Sequence, residues 1–320
     1  MAKCRETSLT VQNPVLSIVV PMYNESENVW PFYERLKKVL DQIGESYEII
    51  CVNDGSTDDT IEKLLKLREL DPNVKIIDFS RNFGKEIALT AGIDFSSGEA
   101  VIPIDADLQD PPEIIPELVS KWREGYDVVY ATRLSREGES YIKRLTATLF
   151  YRIAQKVMHI NIPKDTGDFR LVSRAVVETL KEMRERNRFM KGLFAWVGFP
   201  HSVVYYRREK RHGGKTKWNY WRLWNFALEG ITSFSYIPLQ IATYFGFVVA
   251  LLSFVYALFI VIRTLLFGIK VPGYASTITI ILFLGGVQLI CIGILGEYIG
   301  RIYTEVKRRP LYVIRRKYGL

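Results

Sequence analysis

Residues 101–122 read VIPIDADLQDPPEIIPELVSKW. A short apolar run meets a turn with three aspartates, Asp105, Asp107 and Asp110, and an amphipathic helical pattern follows. Strand, acidic turn, helix is the repeating unit of an α/β sheet. Carboxylates this close repel one another. Asp105 and Asp107 stand two apart where a strand should fray, so irregular backbone lets both turn toward one point. Hard oxygen donors of this kind suit Mg²⁺ or Mn²⁺, which takes further ligands from water and phosphate. The alternative is a solvated acidic turn, with Asp110 as the N-cap before PPEII.

Working outward, the same unit recurs. Runs rich in β-formers are LSIVV (16–20), YEIICV (47–52), VKIIDF (74–79), AVIPI (100–104) and YDVVYA (126–131). Between most of them lie helical patterns; in the first, Val29, Phe32, Leu36, Val39, Leu40 and Ile43 share one face. Continuous apolar strands alternating with helices predict a mostly parallel sheet covered on both faces. Ligands of such sheets bind beyond the carboxyl ends of the strands. The segments there are polar: PMYNESEN, NDGSTDDT, SRNFGKE and DADLQD. No glycine-rich dinucleotide fingerprint or P-loop follows the first strand, which argues against a nicotinamide or P-loop enzyme. Asp54, in VNDGSTDD, can accept from a nucleobase N–H or a ribose hydroxyl, or belong to a capped turn. Glu25, in YNES, can bind ribose or cap the next helix.

The second half has a different composition. A helix is expected from about Ser140 to Met158, then KDTGDFRLVSR as a loop entering another helix. RFMKG (188–192) begins a further helix on the acceptor side, with Arg188 and Lys191 as ligands or surface charges. A strand SVVYYR and a basic, glycine-containing loop REKRHGGKTK follow. Trp218, Trp221 and Trp224 then fall on one helical face, as in a helix lying at a membrane surface. No Asp, Glu, Lys or Arg occurs from Gly230 to Ile262 or from Val271 to Gly296. Both stretches are long enough to cross a bilayer, with spans expected near Pro238–Ile262 and Ala275–Leu295. In the tail over 301–320, Arg301, Lys307, Arg308, Arg309, Arg315, Arg316 and Lys317 stand against Glu305 alone. Basic flanks stay inside, so both termini are expected in the cytoplasm. The boundaries read as a catalytic domain over 1–217, an interfacial helix over 218–236, two transmembrane helices over 237–300 and a basic tail over 301–320.

The composition fits this division. Hydrophobic residues make up 48% of the 320 and charged residues 24%, which excludes a disordered chain. The net charge of +8 lies largely beside the spans, where it suits an anionic membrane surface better than nucleic acid. Cys4, Cys51 and Cys291 are too few and scattered for a disulfide framework or a zinc site. Cys51 reads as a small core residue.

SIVVPMYNESEN, VNDGSTDDT, RNFGKEIALTAG, DADLQDPPE and TGDFRLVSR, in this order, resemble the family-2 inverting glycosyltransferases of GT-A fold. The likeness is strongest to the membrane-bound polyprenyl-phosphate enzymes: GtrB-like bactoprenol glucosyltransferases and, more distantly, dolichol-phosphate mannose synthases. It covers nearly the whole chain, including KTKWNYWRLWNFALEGITSFS and LFLGGVQLICIGILGEYIGRIY. The resemblance implies transfer of a sugar from a nucleoside diphosphate to a polyprenyl phosphate at the cytoplasmic face of a bacterial inner membrane. It implies donor binding by Pro21, Tyr23, Glu25, Asp54, Lys85 and Gln109, and a Mg²⁺ or Mn²⁺ ion on Asp105 and Asp107. Asp168 would orient the sugar or acceptor, with base catalysis as the alternative, and Lys217 would serve the reaction. Arg133, Lys143, Arg144, Arg211 and Lys215 are the candidate cations for the acceptor phosphate. The resemblance also implies contact with membrane lipid and assembly into homo-oligomers, tetramers in related enzymes. UDP-glucose is the expected donor; GlcNAc, mannose or aminoarabinose are the other sugars. Two rivals remain: a processive polysaccharide synthase, whose QxxRW motif and additional spans are missing here, and a membrane-anchored scaffold with an inactive transferase fold.

Overall fold

The computed structural model describes residues 13–134, 166–186, 188–208, 237–268 and 273–320. The expected helix near 140–158, the basic loop at 209–217 and the tryptophan-rich segment lie outside these residues. The described elements are β1 (Leu16–Met22), α1 (Val29–Ile43), β2 (Tyr47–Asn53), α2 (Thr60–Leu70), β3 (Val74–Phe79) and α3 (Lys85–Phe95). There follow β4 (Ala100–Pro103), a 3₁₀ turn (Pro112–Ile114), α4 (Ile115–Arg123), β5 (Val128–Arg133) and β6 (Thr166–Ser173). The chain continues as α5 (Arg174–Glu182), α6 (Met190–Trp196) and β7 (His201–Tyr206). It ends with α7 (Ile237–Phe267), α8 (Tyr274–Val306) and β8 (Ile314–Tyr318).

Eight strands form one sheet in the order β7-β5-β6-β4-β1-β2-β3-β8. β1 lies parallel to β2 and β4, β2 to β3, and β5 to β7, while β6 and β8 run antiparallel to their neighbours. Strands β1 to β5 are buried on both faces, as their continuous apolar runs require, whereas the edge strands β7 and β8 are more exposed. Leu16, Ile18 and Val20 of β1 point to one face, which α1, α2 and α4 cover through Leu36, Leu64 and Leu118. Val19 and Ile50 point to the other, which α3, α5 and α6 cover through Leu89, Val176 and Leu193. Gly92 lets α3 approach β1 closely: a Cβ there would stand 2.1 Å from Cγ1 of Val19. Cys51 is buried as a core residue.

Two segments differ from their sequence reading. TGDFRLVS, expected as a loop, is strand β6, inserted antiparallel between β4 and β5. The basic tail contains β8, whose Ile314 to Tyr318 pair with Phe79 to Ile76 of β3. This pairing fixes topology: the chain leaves the sheet, runs through two long helices and returns to the sheet's edge. α7 and α8 contain apolar stretches Leu239–Phe267 and Thr279–Val306, of 29 and 28 residues, long enough to cross a membrane, and the most apolar part of each lies unburied by protein. They form a membrane-spanning hairpin with the catalytic sheet and the C-terminus on one side, the cytoplasmic side by the positive charge of its flanks.

Candidate active site

The polar segments gather at the carboxyl ends of β1 to β4. Asn24, after β1, adopts a left-handed conformation (φ 53°), and its Oδ1 accepts the Thr57 N–H at 2.8 Å, joining the first two loops. Glu25 accepts Nδ2 of Asn28 at 2.6 Å and donates its own N–H to Thr60 at 3.0 Å. Pro21 sits within β1 opposite Val52, and half-buried Tyr23 follows the strand end. Gly55 (φ 64°) is required where it stands: a Cβ would meet the carbonyl carbon of Arg81 at 2.4 Å.

Asp54 is 3% exposed. Its two oxygens accept the N–H groups of Phe83 and Gly84, at 2.6 and 2.9 Å. Burial lifts its carboxyl above the ordinary range, against those hydrogen bonds. The aspartate expected at a nucleobase or ribose is therefore first of all the holder of the β3–α3 loop. That loop delivers Lys85, the first residue of α3.

Lys85 is the centre of the cluster. Its Nζ lies 2.7 Å from Asp105 and 2.5 Å from Asp168. Lys191, on α6, stands 3.9 Å from Asp168. Burial raises the Asp168 carboxyl, but Lys85 and Lys191 outweigh it, and the group is held well below the usual range. Asp105 goes the other way: loss of hydration lifts it, Lys85 pulls against the lift, and the charges of Asp168 and Asp110 add to it. Glu86 is pushed up to about 7, first by burial and then by the charge of Asp168, and accepts the Met190 N–H at 2.8 Å. Asp168 Oδ1 is buried without a hydrogen-bond partner, and so is Nη1 of Arg170. Arg170 is 1% exposed, donates to the Gly167 and Asp168 carbonyls, and lies 4.3 Å from the Phe194 ring centroid.

The acidic turn divides its aspartates. Asp107 accepts the Gln109 N–H at 3.1 Å across Leu108, which is left-handed (φ 57°), an uncommon conformation for leucine. Gln109 accepts from Arg208. Asp110 is neither solvated nor a cap: it is 3% exposed, bound by the Tyr206 hydroxyl, with Nη2 of Arg133 at 3.7 Å. The 3₁₀ turn after it starts from Pro111 without a side-chain cap. Arg133 is thus placed at the site by a partner on β7. Arg188, weighed as a surface charge, is buried instead, its guanidinium on the Met183 carbonyl.

The structure brings Lys85, Asp105 and Asp168 into direct contact and sets Asp107, Gln109, Asp110, Arg133 and Arg208 along the adjoining turn. Lys143, Arg144, Arg211, Lys215 and Lys217 lie outside the described residues. Arg170 and Glu86 are signalled in the sequence only by adjacency to GDF and GK, and Arg208 only as the first residue of the basic loop REKRHGGKTK. Among the described residues, no group of three or more His, Cys, Asp or Glu is arranged to hold a metal by itself. Two aspartates on one turn still fit a hard divalent ion whose remaining ligands are phosphate oxygens and water.

A mostly parallel sheet with acidic strand ends, tied to a membrane hairpin, defines a membrane-attached GT-A-type transferase. Residues 17–181 match the model of Glycosyl transferase family 2, and residues 237–302 that of the GtrB C-terminal hairpin. The chain belongs to glycosyl transferase family 2. It is 58% identical to an uncharacterized glycosyltransferase of Synechocystis sp., over 95% of this chain and 96% of that one. It is 51% identical to the SfII prophage-derived bactoprenol glucosyl transferase of Shigella flexneri, over 95% and 98%. Among solved structures, glucosyl-3-phosphoglycerate synthase of Mycobacterium tuberculosis, in complex with Mn²⁺, UDP-glucose and phosphoglyceric acid, aligns with 63% of this chain and 73% of its own, at 21% identity and a TM-score of 0.43.

Proposed function

We propose that the protein transfers glucose from UDP-glucose to undecaprenyl phosphate, with inversion, at the cytoplasmic membrane face. The observation that carries this reading is the 51% identity to a bactoprenol glucosyl transferase over both the sheet domain and the hairpin. The chemistry of the site supports it.

Asp105 and Asp107 are the residues to hold a divalent cation. When bound, that ion neutralises charge developing on the departing diphosphate. Tyr23, Glu25 and Asp54 border the donor's nucleoside, Asp54 by fixing the loop that carries Lys85. Lys85 supplies a fixed positive charge between Asp105 and Asp168 and is placed to meet the donor. The acceptor is a phosphate monoester with a second pKa of about 6, so it arrives largely ionised and needs no strong base. Asp168, held ionised by Lys85 and Lys191, is a poor proton acceptor at neutral pH. Its role is to orient the sugar or acceptor through Oδ1, which has no hydrogen-bond partner and lies 3.9 Å from Nζ of Lys191. Arg133 and Arg208 contribute cations for the meeting of two anionic substrates, with Lys143, Arg144, Arg211, Lys215 and Lys217 completing the set. Assembly as a homo-tetramer belongs to the same reading.

The test offers the purified protein radiolabelled UDP-glucose, UDP-GlcNAc, GDP-mannose and UDP-aminoarabinose, each with undecaprenyl phosphate. Label should enter the lipid fraction from UDP-glucose. Label from another donor would replace the sugar, and label from none would leave the inactive-scaffold reading standing.

A further inference from the structure

A second cluster of charge lies away from the strand ends. Where α8 ends, the chain turns through Arg308 in a left-handed conformation (φ 48°) before entering β8. Between this turn and the segment after α5 opens a cleft of about 900 Å³. Arg184, Arg186, Arg308 and Arg309 line it, against Glu185 and Glu305.

The two acids do not balance the four guanidinium groups. Glu305 is engaged by Arg186, which donates its backbone N–H at 3.0 Å and Nη1 at 3.3 Å. Burial, together with the Glu305 charge, lifts the Glu185 carboxyl above the ordinary range. Arg184 is matched by Asp94, at 2.8 Å. Arg308 and Arg309 are exposed, and among the described residues no carboxylate pairs with either. The cleft therefore presents net positive charge.

Its remaining surroundings are apolar. Val306, Pro310, Leu311 and the ring of Tyr312 complete the wall. From Val306 an exposed stripe of Tyr303, Ile302 and Ile299 climbs α8 into the membrane span, each at least 60% exposed. An anion in the cleft would be continuous with a hydrocarbon-facing surface. That arrangement suits a lipid better than a free ion.

We propose that this cleft binds the phosphate headgroup of an anionic membrane phospholipid, docking the catalytic sheet against the bilayer. The bound lipid is not the reacting acceptor. Arg184 and Tyr312, both in the cleft wall, contact Asp94 in the last turn of α3, whereas Lys85 of the active site is in its first turn. Nine residues of helix separate them, about 14 Å at 1.5 Å per residue, too far for a phosphate held here to attack a donor at Lys85.

Native mass spectrometry of the full-length protein tests this, using an equimolar mixture of phosphatidylglycerol and phosphatidylcholine with the same acyl chains. The wild type should retain phosphatidylglycerol preferentially. Arg308→Gln/Arg309→Gln should lose that preference by roughly thirty-fold, the scale expected for two basic groups at an anionic surface. Lys38→Gln/Lys66→Gln removes the same charge from exposed positions on α1 and α2 and should keep the preference. Arg184→Gln serves as the second cleft variant if the double variant does not fold. Equal retention in wild type and cleft variants, or no preference in the wild type, overturns the proposal. So does stripping of the lipid by millimolar inorganic phosphate, which would make this a soluble-anion site. Displacement by equimolar undecaprenyl phosphate would make it part of the acceptor's path and overturn it too.

Discussion

Asp105 and Asp168 share one lysine, yet their surroundings drive them apart: Asp168 is held ionised, whereas lost hydration lifts Asp105. Asp105→Asn keeps the shape and hydrogen-bonding reach of the side chain but removes its charge. We expect at least about a hundred-fold loss of transfer, the scale of a lost electrostatic contact in a transition state. The melting temperature should stay within a few degrees; retained activity would remove Asp105 from the donor site. Glu86 gives a stability prediction with a definite sign. Its folded pKa, about 7, lies above the ordinary glutamate value of 4.5, so the folded state binds more protons between those pH values. Stability from this group is present below pH 4.5 and is lost as pH rises through 7. Glu86→Gln should flatten the decline in thermal stability from pH 5 to 8, by at most on the order of 3 kcal/mol, since each pKa unit is about 1.4 kcal/mol. A variant profile parallel to the wild type would show that Glu86 does not titrate there. The aspartates were visible in the sequence as an acidic turn. Their division into Asp105 at the site and Asp110 beneath it was not, because Tyr206 and Arg133 come from 96 and 23 residues away.

At the scale of elements, strands β1 to β5 and their helices are legible because apolar runs and three-four spacing are local signals. β6 is not. Its sequence opens with Thr-Gly-Asp and carries a charged Arg170, which is buried only because Tyr130, Phe194 and two carbonyls receive it. β8 is hidden for a different reason. Three consecutive cations, Arg315 to Lys317, look like a solvated tail, but charged residues are what a strand at a sheet edge presents to discourage unwanted pairing. Truncation after Val313 removes the partner of Ile76 to Phe79 and bares the edge of β3. The truncated protein should melt several degrees lower and aggregate more readily on size-exclusion chromatography. An unchanged melting temperature would mean that β8 contributes nothing to the sheet.

For the molecule as a whole, β8 makes the two long helices a hairpin. A chain that pairs with β3 after α8 must end on the side where the sheet lies. A C-terminal tag should therefore be cleaved by protease in inside-out vesicles and protected in right-side-out ones, together with the catalytic domain. Cleavage from the periplasmic side alone would overturn this topology. The same return brings Arg186 of the catalytic domain onto Glu305 and the Arg309 carbonyl, fixing the sheet to the end of the span. A water-soluble donor and a membrane-bound acceptor can meet only at such a junction.

Local patterning is enough to specify a mostly parallel α/β sheet, its acidic strand ends and the two apolar spans. Each is written in short-range periodicity or in an uninterrupted run of apolar residues. Tertiary structure decided which charges meet. Lys85 between Asp105 and Asp168, Asp54 on the backbone of Phe83 and Gly84, and β8 on β3 all join segments from 20 to more than 200 residues apart. Ion pairs and strand pairing depend on distance in space, and a charge pattern along the chain does not contain that distance.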